Sequence, residues 1–271
     1  MILAVDIGGT KTLVAAFDLH GRILKSQRIP TDHRYADFIS HLVTLIKKEF
    51  WHADVTTIHV AVAGFIDYKT RQVTHLGNLP WRSVDLVRPL TAAFGVSVLI
   101  DNDANVGGLA EAHELHSKPQ TLLYVTIGTG IGSGIITKGE INPFLAHSEA
   151  GHIMLEHQGV LQRWEDLCSG RALVRDYHQT AAEIDDPEIW KDFTHKLSLG
   201  FLAMLPIVQP DVVVIGGGIG THFKKYGHLL SNRLRTTLPA LVPLPPIVQA
   251  IRPEEAVIYG CYLLAKQTLA R

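Results

Sequence analysis

Twice in this chain an apolar, β-rich run breaks at a glycine/threonine turn and resumes as a second strand. The first case is ILAVD, IGGTK, TLVAAFD at the start; the second is TLLYVTI, GTG, IGSGIITKG, after Lys118-Pro119. After each pair the pattern mixes helices with strands. Such a chain is constrained to two similar α/β halves, and no short-period repeat is visible. In the first half RILKSQRI follows the His20-Gly21 turn and completes a three-stranded antiparallel meander. ADFISHLVTLIKKEF carries Phe38, Leu42, Leu45 and Ile46 at helical spacing and predicts an amphipathic helix. IHVAVAGF and VSVLIDND are nearly unbroken apolar runs, suited to strands covered on both faces. A helix opens at Asp103-Ala104-Asn105 and runs to about Leu115. In the second half, helices are expected near 170–183 and 187–205, then the strand DVVVIGGG, another helix and the strand PPIVQAI. A final helix, EEAVIYGCYLLAKQTL, follows Arg252-Pro253.

Bulk properties exclude several classes. The net charge of -1 advertises neither nucleic acid nor a membrane surface. The longest mainly apolar stretch, Leu197 to Ile215, is interrupted by Pro206, Gln209, Pro210 and Asp211, so it reads as a buried helix followed by a strand. The two cysteines, Cys168 and Cys261, cannot build a disulfide framework, which fits a reducing compartment. Only Met1 precedes the first strand. We therefore expect no signal peptide, no N-terminal DNA-binding module and a soluble cytoplasmic protein.

The glycine clusters carry the first chemical signal. IGGTKT lacks the spacing of the common phosphate fingerprints and runs into a strand, not a helix. Alone it is compatible with a hairpin turn. Gly128-Thr129-Gly130-Ile131-Gly132 and Gly216-Gly217-Gly218 change the balance, because three such turns at strand ends can bring several backbone N–H groups to one polyanion. LIDNDANVGG places Asp101, Asn102, Asp103 and Asn105 at the end of an apolar strand. One of them suffices to cap the next helix; four exceed that need at a place where α/β folds bind ligands. HSEAGH sets Glu149 and His152 three apart, with Glu165 following in RWEDLCSGRAL. A metal site of His147, Glu149 and His152 matches no standard spacing. His113 and His116 share a helix face without a third ligand and read as surface.

VDIGGTKT, AGFID, GNLPW, DNDAN, TIGTGIGSG, EAGH, WEDLCSGRAL and VVIGGG occur in the order found in the ROK family of bacterial sugar kinases and repressors. The resemblance spans nearly the whole chain. It implies an α/β, two-domain, actin-like or hexokinase-type (ribonuclease H-like) fold whose domains close on sugar and nucleotide in a cleft. The smaller domain is expected over 1–117, completed by the C-terminal helix 253–271, and the larger over 118–252. Asp6, Gly8, Gly9, Thr10 and Lys11 are similar to the family's first phosphate loop, which implies Asp6 near Mg²⁺ with water between them. Gly128, Thr129, Gly130 and Gly132 resemble the second loop, and Gly216, Gly217 and Gly218 the segment under the adenosine. Asn78, Asn102, Glu149, His152 and Glu165 match the ligands of the sugar hydroxyls. Asp103, also at the substrate, matches the catalytic base.

The implied activity is an ATP-dependent hexokinase or glucokinase-type phosphotransferase, using ATP and Mg²⁺ on a hexose, with glucose giving glucose 6-phosphate expected first. The resemblance also implies a homodimer, while the near-zero net charge leads us to expect no nucleic-acid or membrane partner. One departure is clear: relatives follow ExGH with a C-x-C-G-x-x-G-C segment that binds zinc, whereas this chain reads GHIMLEHQGVLQRWEDLCSG. No structural zinc is expected, and Val160, Leu161 and Trp164 are expected to bury apolar area in its place. Polyphosphate-using glucokinases of the family also lack those cysteines, so polyphosphate is an alternative donor. AHSEAGH and AVAG depart from the usual sequences as well, leaving N-acetylated hexosamines, mannose and fructose as alternative sugars. A sugar-sensing regulator without catalysis is the rival from another class; Asp6 and Asp103 together argue against it. A nicotinamide enzyme using IGTGIGSG fails because that loop runs into a strand.

Overall fold

The computed structural model describes residues 1–77 and 79–269. The chain forms two compact units, Met1–Ala110 with Val257–Arg271, and Glu111–Ala256. In the first unit β1 (Ile2–Ile7), β2 (Lys11–Phe17) and β3 (Ile23–Pro30) make the expected antiparallel meander. β4 (Thr57–Val62) adds to β1 in parallel. β5 (Gly64–Asp67), β6 (Gln72–Leu76) and β7 (Arg82–Val84) form a separate antiparallel sheet, and β8 (Ser97–Asn102) completes the main one in the order β3-β2-β1-β4-β8. β4 is buried at every position, as an interior strand covered on both faces must be.

Helix α1 (Tyr35–Leu45) buries Phe38 and Leu42, and a π-helical turn, Ile46–Phe50, widens its end so that Ile46 and Phe50 also reach the core. α2 (Val87–Phe94) stops at Gly95, whose φ of 68° is readily open to glycine. α3 (Asp103–Glu114) follows β8 directly. Trp81 of GNLPW is buried against Phe38, 4.8 Å between ring centroids, and its Nε1 donates to His33 O at 2.9 Å.

The second unit repeats the scheme. β9 (Thr121–Ile127) and β10 (Ile131–Thr137) pair antiparallel, β11 (Glu140–Ile141) extends β10, and β14 (Val212–Gly216) and β15 (Ile247–Gln249) join in parallel to give β11-β10-β9-β14-β15. Between them β12 (Met154–His157) and β13 (Val160–Arg163) form a hairpin whose turn residues, Gln158 (φ 53°) and Gly159 (φ 78°), both have the positive φ of a type I′ turn. Helices α4 (Trp164–Cys168), α5 (Gly170–Tyr177), α6 (Pro187–Val208), α7 (Gly217–Gly220) and α8 (Phe223–Thr237) follow. α6 has Asp186 as its N-cap and Pro187 in its first turn. α9 (Ala256–Leu269) returns the chain to the first unit, where Gly260 packs so closely on Val106 O that a Cβ would lie 1.9 Å from it.

Two expectations are corrected. The helix expected over 170–183 ends at Tyr177, because His178 turns left-handed at φ 57° and caps it. Val160 and Leu161 are 57% and 64% exposed, since they stand on the short two-stranded hairpin; Trp164 alone of the three is buried, at 0%. Its ring lies against Phe201 and so close to Gly200 that a Cβ there would sit 2.0 Å from Trp164 Cε2. Gly200→Ala must displace α4 or α6. We expect a loss of about 1–3 kcal/mol in urea unfolding, the usual cost of overpacking; an unchanged midpoint would show that the α4–α6 contact is loose.

Candidate functional site

In the first unit the polar groups gather at the C-terminal ends of β1, β4 and β8. In-register pairing places Asp6, Ala61 and Asp101 in one row across these strands. The turn after β1 is braced from within: Gly8 N–H donates to Lys11 O at 3.0 Å, so it is spent on the turn itself. Thr31 holds the same turn from outside, its hydroxyl donating to Gly8 O at 2.9 Å and its N–H to Thr10 O at 3.0 Å. Gly9, Thr10 and Lys11 form the accessible side of the turn, with Thr10 and Lys11 exposed.

Asn102 and Asp103 divide the work at the end of β8. Asn102 Oδ1 accepts the Asn105 N–H at 3.1 Å and so caps α3, while its Nδ2 donates to Gly64 O at 3.2 Å. Asp103 Oδ1 accepts from the Ala104 N–H at 2.8 Å. Burial pushes the Asp103 carboxyl up to about 6, against the opposing pull of backbone N–H groups. Burial and the Asp103 charge together push Asp6 up to about 7, and Arg28 is the cation that opposes them. A carboxyl poised near neutrality at a strand end is suited to taking a proton from a hydroxyl.

In the second unit three motifs converge on the backbone of Ile131, directly after the second Gly/Thr turn. Its N–H donates to Glu165 Oε2 at 3.4 Å. Its carbonyl lies against Gly151, where a Cβ would come within 2.2 Å, so the 3₁₀ turn Ala150–His152 seats tightly on β10. The turn is braced by Gly128 N–H to Gly130 O (3.0 Å) and by the start of α5, from which Gly170 N–H reaches Gly128 O at 2.7 Å. GTG, EAGH and WED are thereby one assembly.

Glu165 is its buried hub. Its Oε1 faces Arg163 Nη1 at 3.0 Å, Arg171 Nη2 at 3.3 Å and His152 Nε2 at 3.6 Å. Arg163, Gly170 and Arg171 escaped the sequence reading; the signal available was the two arginines flanking WEDLCSG and its two carboxylates. Glu149 precedes the 3₁₀ turn and its carbonyl accepts the His152 N–H at 3.0 Å.

The third glycine cluster ends β14 beside β9, in register Gly216 with Thr126. Gly217 has φ 79°, and its N–H donates to Pro253 O at 2.8 Å. The loop carrying Pro253 is held by buried Glu111, whose carboxylate accepts the N–H groups of Ile251 (2.7 Å) and Arg252 (2.9 Å). Gly218 is exposed, and Gly132 lies within β10. Asn78 lies outside the described residues. Asp6, Asn102 and Asp103 thus come together in the first unit, and Gly128–Gly132, His152 and Glu165 in the second. Among the described residues no group of three or more His, Cys, Asp or Glu side chains could hold a metal ion, and no helix is long and apolar enough to cross a membrane.

Compared with known families, the chain matches the ROK family over residues 2–268. It belongs to that family. This ROK protein is 29% identical to the glucokinase of Streptomyces coelicolor over 190 residues, 67% of this chain and 60% of that protein. It is 27% identical to the fructokinase of Streptococcus mutans over 299 residues, 99% of this chain and 98% of that one. A ROK family glucokinase of Streptomyces griseus, solved in complex with glucose and AMPPNP, has the same fold: TM-score 0.86, 22% identity, 98% of this chain and 99% of that chain. The fold is therefore the two-domain hexokinase type anticipated from the motifs.

The raised carboxyls set a pH dependence of stability. Asp6 titrates about 7 when folded, against an ordinary value of 3.8. The folded chain therefore holds a proton that the unfolded chain releases, and stability falls as pH rises through that window. Asp103 adds the same sign up to about 6. Asp6→Asn is expected to melt close to wild type below pH 4 and above it by a margin that grows to a plateau past pH 7. A margin that shrinks with rising pH in calorimetric scans would overturn this reading.

Proposed function

We propose that this protein is an ATP-dependent sugar kinase that transfers a phosphoryl group to a hexose, glucose first among the candidates, with Asp103 as the general base. The observation that carries the reading is the desolvated Asp103 carboxyl at the end of β8, raised to about 6 and close enough for its charge to act on Asp6, which leads into the first Gly/Thr turn. A sugar hydroxyl is a poor nucleophile until a carboxylate takes its proton, and such general-base help is worth roughly 10²–10⁴-fold. The ionised form of Asp103 is the active one, so its elevation keeps the base effective near neutrality. Glu149 and His152 are assigned to the sugar hydroxyls. Glu165 acts by holding His152, Arg163 and Arg171 in place around Ile131.

The residues present fit Mg²⁺. Asp6 and Asp103 concentrate negative charge, opposed at Asp6 by Arg28, and a hard cation that keeps several waters needs no more than one or two carboxylates besides phosphate oxygens. Asp6 would hold the ion through water, and the bound ion would supply neutralisation of phosphate charge. Gly9, Thr10 and Lys11 in the first turn, and Thr129 and Gly130 in the second, are assigned to phosphate oxygens, and Gly216–Gly218 to the nucleoside. The same reading includes a homodimer, on the family resemblance.

The deciding experiment is an ADP-release screen over glucose, N-acetylglucosamine, mannose and fructose, run beside a sugar-phosphate assay with polyphosphate as donor. A turnover with polyphosphate alone would replace ATP in this proposal. Asp103→Asn is expected to lower kcat by at least about 10²-fold while calorimetric sugar binding stays within a few-fold. A variant that keeps most of its kcat would make Asp103 a structural residue.

We also propose that the protein works without zinc. A structural zinc takes four ligands, mostly thiolate and imidazole, and its binding contributes to folding. Here His152 faces Glu165, and Cys168 is buried with its Sγ turned to Trp164 O at 3.5 Å. Elemental analysis of purified protein should find no stoichiometric zinc, and activity lost to a chelator should return with Mg²⁺ alone. Activity that returns only with zinc would sink the proposal.

A further inference from the structure

His59 is a histidine in the middle of the interior strand β4, fully buried at 0% exposure. Its Nε2 lies 3.1 Å from Asp101 Oδ2, and its Nδ1 is buried with no hydrogen-bond partner among the described residues. A carboxylate can only accept, so the proton of this bond belongs to Nε2. The ring is thereby fixed in one orientation, and a buried polar atom left without a partner carries a desolvation cost that packing alone does not explain.

The other oxygen of Asp101 takes the hydroxyl of Tyr68 at 3.4 Å. Tyr68 stands on the turn between β5 and β6. That turn is itself pinned, since Asp67 Oδ1 accepts the N–H groups of Lys69 (2.9 Å) and Thr70 (3.4 Å). Tyr68 is 42% exposed, yet partial desolvation and the Asp101 charge push its phenol up, so it remains a donor at working pH, and the Asn102 backbone N–H engages its oxygen. The Tyr68 hydroxyl thus bonds twice to the end of β8, immediately before Asp103.

The geometry points to Tyr68 as a positioning residue of the proposed kinase: buried His59 orients Asp101, Asp101 orients the Tyr68 hydroxyl, and that hydroxyl holds the Asn102-Asp103 backbone from which the base projects. This rests on the reading of Asp103 as the general base. Tyr68 touches the turn and not the reacting atoms, so its loss acts on kcat through a misplaced carboxylate. A small misplacement is enough, because displacements of about 1 Å are felt as up to about 10²-fold in rate.

The test uses the full chain and three variants, Tyr68→Phe, His59→Leu and His59→Gln, with two readouts. The first is kcat and KM for the hexose that gives the fastest ADP release. The second, independent of activity, is the backbone amide NMR shifts of Asn102 and Ala104 in the free protein. Tyr68→Phe is expected to stay folded, to lose about tenfold in kcat with KM within twofold, and to move both amides. His59→Leu should reproduce that pattern, and His59→Gln, which can keep a donor toward Asp101, should restore most of it. If His59→Leu does not fold, Tyr68→Phe and His59→Gln decide. A Tyr68→Phe enzyme with kcat within twofold of wild type, or with its loss confined to KM, overturns the proposal. Should wild type turn over no hexose, the kinase reading fails by itself. The amides then decide alone: shifts that move in Tyr68→Phe sustain the relay, and unmoved shifts overturn it.

Discussion

In the first unit carboxylates sit at the C-terminal ends of β1 and β8, the strands on either side of the fully buried β4, and much of what surrounds them follows from that placement. Asp6 and Asp101 lie in one row across β1, β4 and β8, with Asp103 one step beyond. An apolar strand end desolvates a carboxyl, and a neighbouring like charge raises it further. Both terms act on Asp6, and desolvation acts on Asp103. The third carboxylate is treated differently: Asp101 is given His59 and Tyr68 as partners. Three acidic side chains in one region are thus separated into one that is hydrogen-bonded by His59 and Tyr68 and two that are pushed up toward neutrality. Even the buried Cys261 thiol of α9 registers them, since burial and the charges of Asp6, Asp101 and Asp103 all push it up.

The second unit solves a different problem, the fixing of a turn that has little side chain to hold it. A Gly-Thr-Gly segment has large backbone freedom, and ordering it costs more entropy than ordering other residues. The brace comes from backbone contacts at its rim. Gly170 N–H meets Gly128 O, Gly151 admits the Ile131 carbonyl, and Glu165 takes the Ile131 N–H. Two of these three contacts require glycine on the bracing side, because a Cβ at Gly170 or Gly151 would stand 2.7 or 2.2 Å from a carbonyl oxygen. The glycines of EAGH and CSGRAL are therefore packing residues of the turn, whatever ligand the turn receives.

These distinctions explain how far the sequence could be read. Long apolar runs such as ILAVDI and TIHVAV announce themselves, and so does the helical spacing of Phe38, Leu42 and Ile46. β5, β6 and β7 did not, because strands of three to five residues that carry Asp67, Gln72 and Arg82 hold too little alternation to stand out. The β12–β13 hairpin was legible in principle from Gln158-Gly159, but the neighbouring motif drew the reading toward a missing metal knuckle. At the site, the one-dimensional pattern named the carboxylates and glycines and missed their partners. Nothing local links Arg163 and Arg171 to one oxygen of Glu165, or His59 to an aspartate 42 residues away.

The same comparison changes what the motifs mean. Read along the chain, every glycine of IGGTK and GTGIG looks like an amide offered to phosphate. In three dimensions the first glycine of each turn, Gly8 and Gly128, donates its N–H back into the turn, to Lys11 O and to Gly130 O at 3.0 Å in both cases. Both turns are thus closed by their own first amide, across Gly8–Lys11 in one and Gly128–Gly130 in the other, and each sits after the first strand of a hairpin whose other neighbour is parallel, β4 in one unit and β14 in the other. A turn closed by its own first amide presents a set conformation before any ligand arrives. The entropy of ordering it is then met in folding and not in binding, which is how a glycine-rich loop can recognise a polyanion without losing its affinity to disorder.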